Sequence, residues 1–380
     1  MEIKSLRNQI DNIDDKITQL FKERLDIVKS VREYKEKNNK PINDPNREKE
    51  ILLRITENAT DEEKIYLKRI FENIFEVSKA CQTANLTHQT PIAQNILDAI
   101  NKNTTLPVRA RVACQGVAGA YSGIATNKFF ELADISYFKT FDAVFTAVEK
   151  GFCKYGVLPI ENSTAGSVNQ VYDLMREHNF YIVGSVRVPI THCLIANTGA
   201  DVNNIKEIIS HEQALAQCKN FIEKFPNVKI TTCANTAVAS AQVKESGRLD
   251  LAAISSRDCA EIYGLKILQS SVQDSNGNYT RFILIAKDLE IYKGADKVSI
   301  MTTLPHVPGS LYKMLAKFYN TSINVTKLES RPIVGSNFEF TFYFDFECDI
   351  TNPKVRAVLS ELDASAENFT FLGAYKESII

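Results

Sequence analysis

From Ile3 to Tyr34 the chain contains neither glycine nor proline, and its apolar residues recur at alternating spacings of three and four. Ile3, Leu6, Ile10, Ile13, Ile17, Leu20, Ile27 and Val31 fill the a and d positions of a heptad pattern, and the first breaker is Pro41. Such a stretch predicts one long helix whose apolar seam is covered by another helix. Arg24 falls on an a position, where an unpaired charge is costly to bury. It is either a device that sets coiled-coil register or the partner of an anion. Lys35 lies about 20° around the helix from Arg24 and ~16 Å along it, so two long cationic side chains can close on a small dianion. Arg7 flanks the same seam.

Asp44-Pro45 reads as an N-cap followed by proline at the first helical position, with Arg47 and Glu48 in the first turn. Thr60-Asp61-Glu62-Glu63 is a capping box that opens a third helix. Its stripe runs Phe71, Phe75, Ser78, Gln82, so polar residues continue an apolar line and suggest a polar pocket inside a helical assembly. Three helices of unequal length cannot bury one long seam, which predicts a dimer.

Composition narrows the partners. Of 380 residues 44% are hydrophobic and 24% charged, and the net charge is −1, so nothing points to nucleic acid or an anionic membrane surface. No apolar run approaches the ~20 residues of a membrane span, and Met1-Glu2-Ile3-Lys4 does not begin a signal peptide. The eight cysteines are scattered without Cys-x-x-Cys spacing, which predicts reduced thiols in the cytoplasm and no metal site.

Residues 87–108 read as a linker. From Arg109 strands alternate with helices, beginning with Arg111-Val112-Ala113-Cys114. The turn Gly116-Val117-Ala118-Gly119 is not a dinucleotide fingerprint, and no Walker loop is present, so no nucleotide cofactor is expected. Small-residue turns also open helices after Glu161-Asn162-Ser163-Thr164-Ala165-Gly166 (from about Val168 to His178), at Ser210-His211 (through Cys218) and at Asn235-Thr236. Helix N-termini expose N–H groups to an anion. His211 reads as a cap or a structural residue. Asn278-Tyr279-Thr280-Arg281-Phe282 follows a turn and precedes the apolar run Ile283-Leu284-Ile285-Ala286. It reads as a loop delivering Thr280 and Arg281 to the mouth of a buried strand, with arginine suited to capturing a carboxylate. A purely structural Thr-Arg pair is the other reading. Beyond Lys297 the pattern is strand, helix, strand, strand, helix, strand. The alternation Phe338, Phe340, Phe342, Phe344, Phe346 marks a half-buried strand.

Three resemblances follow from these residues. Residues 1–86 resemble the all-helical chorismate mutases through Leu6-Arg7, Glu23-Arg24, Lys35, the turn from Asp44 to Glu48, Ser78 and Gln82. That family forms an intertwined dimer. The resemblance implies that Arg24 and Arg7 of the partner subunit hold the carboxylates of chorismate, with Arg47 and Ser78 assisting. Lys35 and Gln82 would face the ether oxygen as catalytic groups, and Asp44 and Glu48 would bind the ring hydroxyl. A [3,3] rearrangement needs a folded conformer and fixed charge, not a nucleophile or a metal.

Residues 109–287 resemble prephenate dehydratase through Glu161-Asn162-Ser163-x-x-Gly166, Ser210-His211-x-Gln213-Ala214-Leu215-Ala216-Gln217-Cys218 and Asn278-x-Thr280-Arg281-Phe282. Two departures are the first loop, where the family has Gly-Pro-Glu-Gly-Thr-Tyr-Ser, and Glu212 in place of proline. The resemblance implies two α/β lobes of periplasmic-binding-protein type with the site in the cleft. Thr280 would assist the departing hydroxyl and Arg281 would hold a carboxylate. Asn162 and Ser163 would orient prephenate, and Phe282 belongs to the same substrate-binding set. Apart from the resemblance, a threonine hydroxyl is a poor acid, which calls for a polarising neighbour, with Glu161 as the candidate.

Residues 297–380 resemble an ACT regulatory domain of ferredoxin-like fold. Gly309-Ser310-Leu311 and Glu329-Ser330-Arg331-Pro332 match the phenylalanine-responsive kind. Together these imply a multidomain bifunctional enzyme of phenylalanine biosynthesis, a homodimer or dimer of dimers, inhibited by L-phenylalanine. Arogenate dehydration and a non-enzymatic ligand-binding regulator are the alternatives.

Overall fold

The computed structural model describes residues 3–38, 40, 44–83, 90–102, 105–333, 335, 339–366 and 368–379. The chain divides into two compact units, Met1–Asn95 with Asn352–Ser365, and Ile96–Thr351 with Ala366–Ile380.

The first unit is helical. Helix Ile3–Lys37 is followed by Pro45–Thr56 and Asp61–Thr83. Asp44 caps the second helix by accepting from Arg47 N at 3.1 Å. Thr60 and Glu63 make the reciprocal bonds of a capping box, at 2.9 and 3.3 Å. The long helix packs against Asp61–Thr83, and in its second half Phe21, Arg24 and Leu25 are half-buried and Val28 is buried. Residues 3–20 are exposed, and so are Ile27 and Val31, so among the described residues every apolar member of the heptad seam is exposed, whereas Arg24 is half-buried.

The expected linker, 87–108, falls partly outside the described residues, at 87–89 and 103–104, as does Leu86 before it. Its remainder is not an open connection, because it contains helix Pro91–Asn101, with Ala93, Ile96 and Ala99 buried. The start signal was Thr90-Pro91, since Thr90 Oγ1 accepts from Ala93 N at 3.3 Å.

The second unit holds three sheets. The first has strand order Glu377–Ile379, Tyr181–Pro189, Tyr279–Ala286, Tyr155–Asn162, Arg109–Gln115, Leu132–Phe138, with Gly166–Ser167 returning along Tyr155–Asn162. The second has order Lys266–Gln269, Cys193–Ala196, Leu251–Ser255, Glu207–Ser210, Lys229–Thr232. The chain passes between these lobes at 190–192 and again at 270–278, so the turns beside Thr280 lie where the lobes join. The helix expected from Val168 to His178 is confined to Asn169–Leu174. After it the chain tightens to i,i+3 bonds, Arg176 N to Asp173 O and Glu177 N to Leu174 O, at 3.3 and 3.0 Å. The helix read through Cys218 ends at Ala216, and a separate turn Lys219–Ile222 follows.

The third sheet has order Asn324–Pro332, Phe340–Glu347, Lys297–Thr303, Asn368–Tyr375, with helix Ser310–Asn320 between its first two chain-order strands and Pro353–Ser365 before its last. Phe338 lies outside the described residues. The strand Phe340–Glu347 is not half-buried as its alternation predicted, because Thr341 through Asp345 are buried on both faces apart from Phe342, which is half-buried. Phe344 and Phe346 meet Phe318 at centroid distances of 5.7 and 5.0 Å. The polar side turns instead onto the first lobe, where Tyr343 Oη donates to Tyr172 O at 2.6 Å. The approach of the two sheets is close enough to need glycine. At Gly373 (φ 147°) an added Cβ would stand 2.1 Å from Ile182 O.

Candidate active sites

In the helical unit, Arg24 donates to Ser78 Oγ, which in turn donates to Ile74 O at 2.5 Å. Partial burial lowers the Arg24 pKa from its ordinary value. Gln82 is buried, and its Oε1 has no hydrogen-bond partner among the described residues. An orphaned buried carbonyl costs about 1–3 kcal/mol, a cost a polar ligand would offset. Glu48 and Glu76 both meet Lys79, at 3.3 and 2.5 Å. Arg24, Ser78, Gln82 and Glu48 are therefore on facing elements. Lys35 is half-buried in the last turn of the long helix. Three predicted residues stand elsewhere. Asp44 caps its helix, Arg47 is exposed and pairs with Glu50 at 2.9 Å, and Arg7 lies on the exposed first half of the long helix.

In the second unit a hydrogen-bond chain spans the junction of the lobes. Thr280 and Asn162 are register partners on adjacent antiparallel strands. The Asn162 amide nitrogen lies 2.9 Å from Thr280 Oγ1, 2.8 Å from Asn278 Oδ1 and 3.2 Å from Tyr279 O. Its carbonyl accepts from Thr164 N and Ala165 N, at 3.0 and 2.9 Å, which fixes the amide's orientation. Asn278 Nδ2 donates to Gln217 Oε1 at 2.9 Å, and His192 Nε2 sits 3.1 Å from that same oxygen. Ser163 locks the loop before Thr280, since its Oγ accepts from Tyr279 N at 2.9 Å and donates to Gly277 O at 3.0 Å. Thr280 is half-buried and receives a hydrogen bond on its oxygen, so its own proton can point into the cleft. His211 is a cap, accepting from Gln213 N at 3.3 Å.

Two predicted residues face the other way. Arg281 is not at the mouth of the strand. It is 6% exposed, bonded to Asp345, and 2.6 Å from Glu377 and 2.8 Å from the Tyr375 hydroxyl. Burial works to lower its pKa, but Tyr375, Asp345 and Glu377 outweigh that and hold it well above the ordinary arginine value. With two carboxylates already engaged, its guanidinium is not a site for a substrate carboxylate. Removing one member of such a buried pair costs about 3–5 kcal/mol. Glu161 does not reach Thr280 either, because its carboxylate accepts from Lys327 Nζ at 2.8 Å. The reason for both is the period of two in a strand, which sends neighbouring side chains to opposite faces. Phe282 is 3% exposed and belongs to the core of the first lobe.

The sequence alone does not mark Gln217 or His192 as site residues, although Gln217 belongs to the motif from Ser210 to Cys218. The available signal for His192 was its place beside Pro189, where the chain leaves one apolar strand and starts another. It is 2% exposed, and its Nδ1 has no partner among the described residues. Burial lowers its pKa, against the opposing effect of the bond to Gln217. The folded state therefore keeps it neutral while the unfolded chain takes up a proton below about pH 6.5. Its stability contribution is present above that pH and is lost as pH falls toward the lowered folded value. Melting temperature should thus decline from pH 7 to 5.5, and His192→Asn should flatten part of that slope. An unchanged slope in the variant would assign the acid sensitivity to other groups.

Around helix Ser310–Asn320 a recess of about 350 Å³ is lined by Leu304, His306, Pro308, Ser310, Leu311 and Phe342, among others. Gly309 precedes it in a left-handed turn, φ 88°. Glu329 and Arg331 lie on the strand Asn324–Pro332, bonded to Ser167 at 2.5 Å and bidentately to Asp173 at 2.9 Å, while Ser330 is exposed on the opposite face.

The chain thus carries two enzyme-like centres, one of charges among helices and one of amides and a hydroxyl between α/β lobes. The family model for chorismate mutase type II matches residues 6–83 and that for prephenate dehydratase matches 112–290. A bifunctional chorismate mutase/prephenate dehydratase of Aquifex aeolicus is 33% identical over 100% of this chain and 99% of its own length. An arogenate dehydratase/prephenate dehydratase of Arabidopsis thaliana is 37% identical, covering 79% of this chain and 80% of its own. A crystal structure of prephenate dehydratase from Arthrobacter aurescens, in complex with L-Phe, superposes with a TM-score of 0.64 at 28% identity over 70% of this chain and 89% of that one. The chain belongs to the bifunctional chorismate mutase/prephenate dehydratase family and is an enzyme of phenylalanine biosynthesis.

Proposed function

We propose that the helical unit rearranges chorismate to prephenate and that the second unit converts prephenate to phenylpyruvate, with Thr280 as the proton donor. The observation that carries the second step is the Asn162 amide donating to Thr280 Oγ1 at 2.9 Å. As the ring C–OH bond breaks, the departing hydroxide takes the threonine proton and leaves as water. The ring carboxylate leaves as carbon dioxide, and its bonding electrons complete the aromatic ring. Charge left on Oγ1 is stabilised by the amide N–H already aimed at it. Ser163 and Gln217 hold that arrangement, and Arg281 and Glu161 do not contact the substrate.

For the mutase, Arg24 and Ser78 bind a carboxylate. Gln82 and Lys35 face the ether oxygen, and Glu48 takes the ring hydroxyl. Arg7 reaches the site of a second copy, a reading supported by the uncovered seam from Ile3 to Val31. The C-terminal sheet is an ACT-type, ferredoxin-like domain that binds L-phenylalanine at the recess beside Gly309, Ser310 and Leu311. Its strand order and the L-Phe complex of the Arthrobacter relative support this. Glu329, Ser330 and Arg331 serve the same effector from the edge strand. Eight unpaired cysteines fit a reducing cytoplasm.

The test is phenylpyruvate formation from purified prephenate and then from chorismate. Product from both is expected, with L-phenylalanine suppressing it. Product from prephenate alone would reduce the helices to a dimerisation arm. The Arabidopsis relative's dual description makes arogenate the second substrate to assay, and a larger kcat/KM for arogenate would reverse the preference proposed here.

A further inference from the structure

Asn162 and Thr280 are register partners, and so are their neighbours Glu161 and Arg281. The first pair forms the dehydratase site, and the second lies on the opposite face of the same two strands. There it meets another register pair, Lys327 and Asp345, on adjacent strands of the C-terminal sheet. The charges match one to one. Lys327 Nζ is 2.8 Å from Glu161 Oε1, and Asp345 accepts from Arg281. The rest of the junction is also polar. Lys327 touches Ser167 at 2.8 Å and Glu329 at 3.5 Å. Asp345 accepts from Ser299 at 2.5 Å. Glu377, which holds Arg281 at 2.6 Å, also meets Lys297 at 2.7 Å and Arg187 at 2.5 Å.

The same two strands of the C-terminal sheet carry the effector elements. Glu329 and Arg331 follow Lys327 on one, and Phe342 of the recess precedes Asp345 on the other. A molecule that shifts either strand must move a charge that is bonded directly behind a site residue.

We propose that Lys327 and Asp345 are positioning residues of the dehydratase. Through Glu161 and Arg281 they set the register of the Asn162–Thr280 pair, and an effector in the recess acts on catalysis by displacing them. Only the second half rests on the phenylalanine reading given above. Glu161 is then a coupling residue and not the group that polarises Thr280.

The experiment uses the full chain with Lys327→Met, Lys327→Arg and Asp345→Asn. It reads dehydratase kcat and KM for prephenate, mutase turnover in the same preparation, and L-phenylalanine binding by calorimetry beside inhibition. Coupling of this kind predicts that Lys327→Met and Asp345→Asn lower dehydratase kcat by about 3–30-fold, with KM changed less than about twofold. Lys327→Arg should recover most of that, mutase turnover should stay unchanged, and bound phenylalanine should inhibit less. Should Asp345→Asn fail to fold, the two Lys327 variants carry the test, since Lys327 is nearer the surface. Unchanged kcat and full inhibition in Lys327→Met would overturn the proposal, and so would a kcat loss that Lys327→Arg does not relieve. If the parent chain binds no phenylalanine while the kcat loss and its rescue stand, the positioning role is supported and the effector reading is the part that fails.

Discussion

Thr280→Ala is expected to lower prephenate turnover by about 10³-fold, in the range for removing a positioned proton donor, and to leave chorismate rearrangement at the parent rate. The loss is chemical because little else in the structure depends on that hydroxyl. Asn162 keeps Asn278 and the Tyr279 carbonyl as acceptors at 2.8 and 3.2 Å. Its own carbonyl stays fixed by Thr164 and Ala165. Thr280→Ser retains the O–H and removes only a methyl group, so it should fall within about tenfold of the parent, the donor chemistry being unchanged. Both rates are read as phenylpyruvate formed from prephenate, with prephenate formed from chorismate as the internal control. A Thr280→Ala loss below tenfold would move the proton donor to another group.

Arg24→Ala has the mirror effect. It should lower mutase kcat/KM by about 10²–10³-fold and spare the dehydratase, because its partner Ser78 belongs to the helical unit. The variant should fold. Arg24 is only half-buried, and its loss removes a charge instead of stranding an opposite one. Lysine at the position should rescue poorly, since an ammonium cannot reproduce a planar fork on a carboxylate. Equal activity of Arg24→Lys and parent would show that a point charge is enough.

Much of the architecture was legible because local signals agreed with one another. The heptad, the capping box at Thr60 and the alternation of strands with helices each point to one element. What local reasoning missed was direction. Thr280 and Arg281 were read together because they adjoin in sequence, yet adjacency in a strand separates side chains to opposite faces. Glu161 and Asn162 part in the same way. Knowing that both faces were covered required the C-terminal sheet. Asp345, which looked like the solvent side of a half-buried strand, is 64 positions from the arginine it meets. Glu377 had no pattern around it at all, since it acts from a three-residue strand added beside Tyr181–Pro189. In the helical unit the reverse holds. Arg7 and the seam around it were recognised from the sequence, while a single copy of the chain leaves them on its surface.

That uncovered stretch, residues 3–20, bears on inheritance as much as on mechanics. If Arg7 serves a neighbouring copy while Arg24 and Gln82 serve their own, a gene altered at Arg7 and another altered at Gln82 are complementary alleles. A mixed pair has one intact mutase centre and one carrying both defects, so random pairing returns about a quarter of all centres to function, as two-fold symmetry dictates. The dehydratase, whose Asn162, Gln217 and Thr280 all come from one chain, gives no such relief. Two lesions on one polypeptide would then obey different genetics, depending on whether they fall in the mutase centre or in the dehydratase centre.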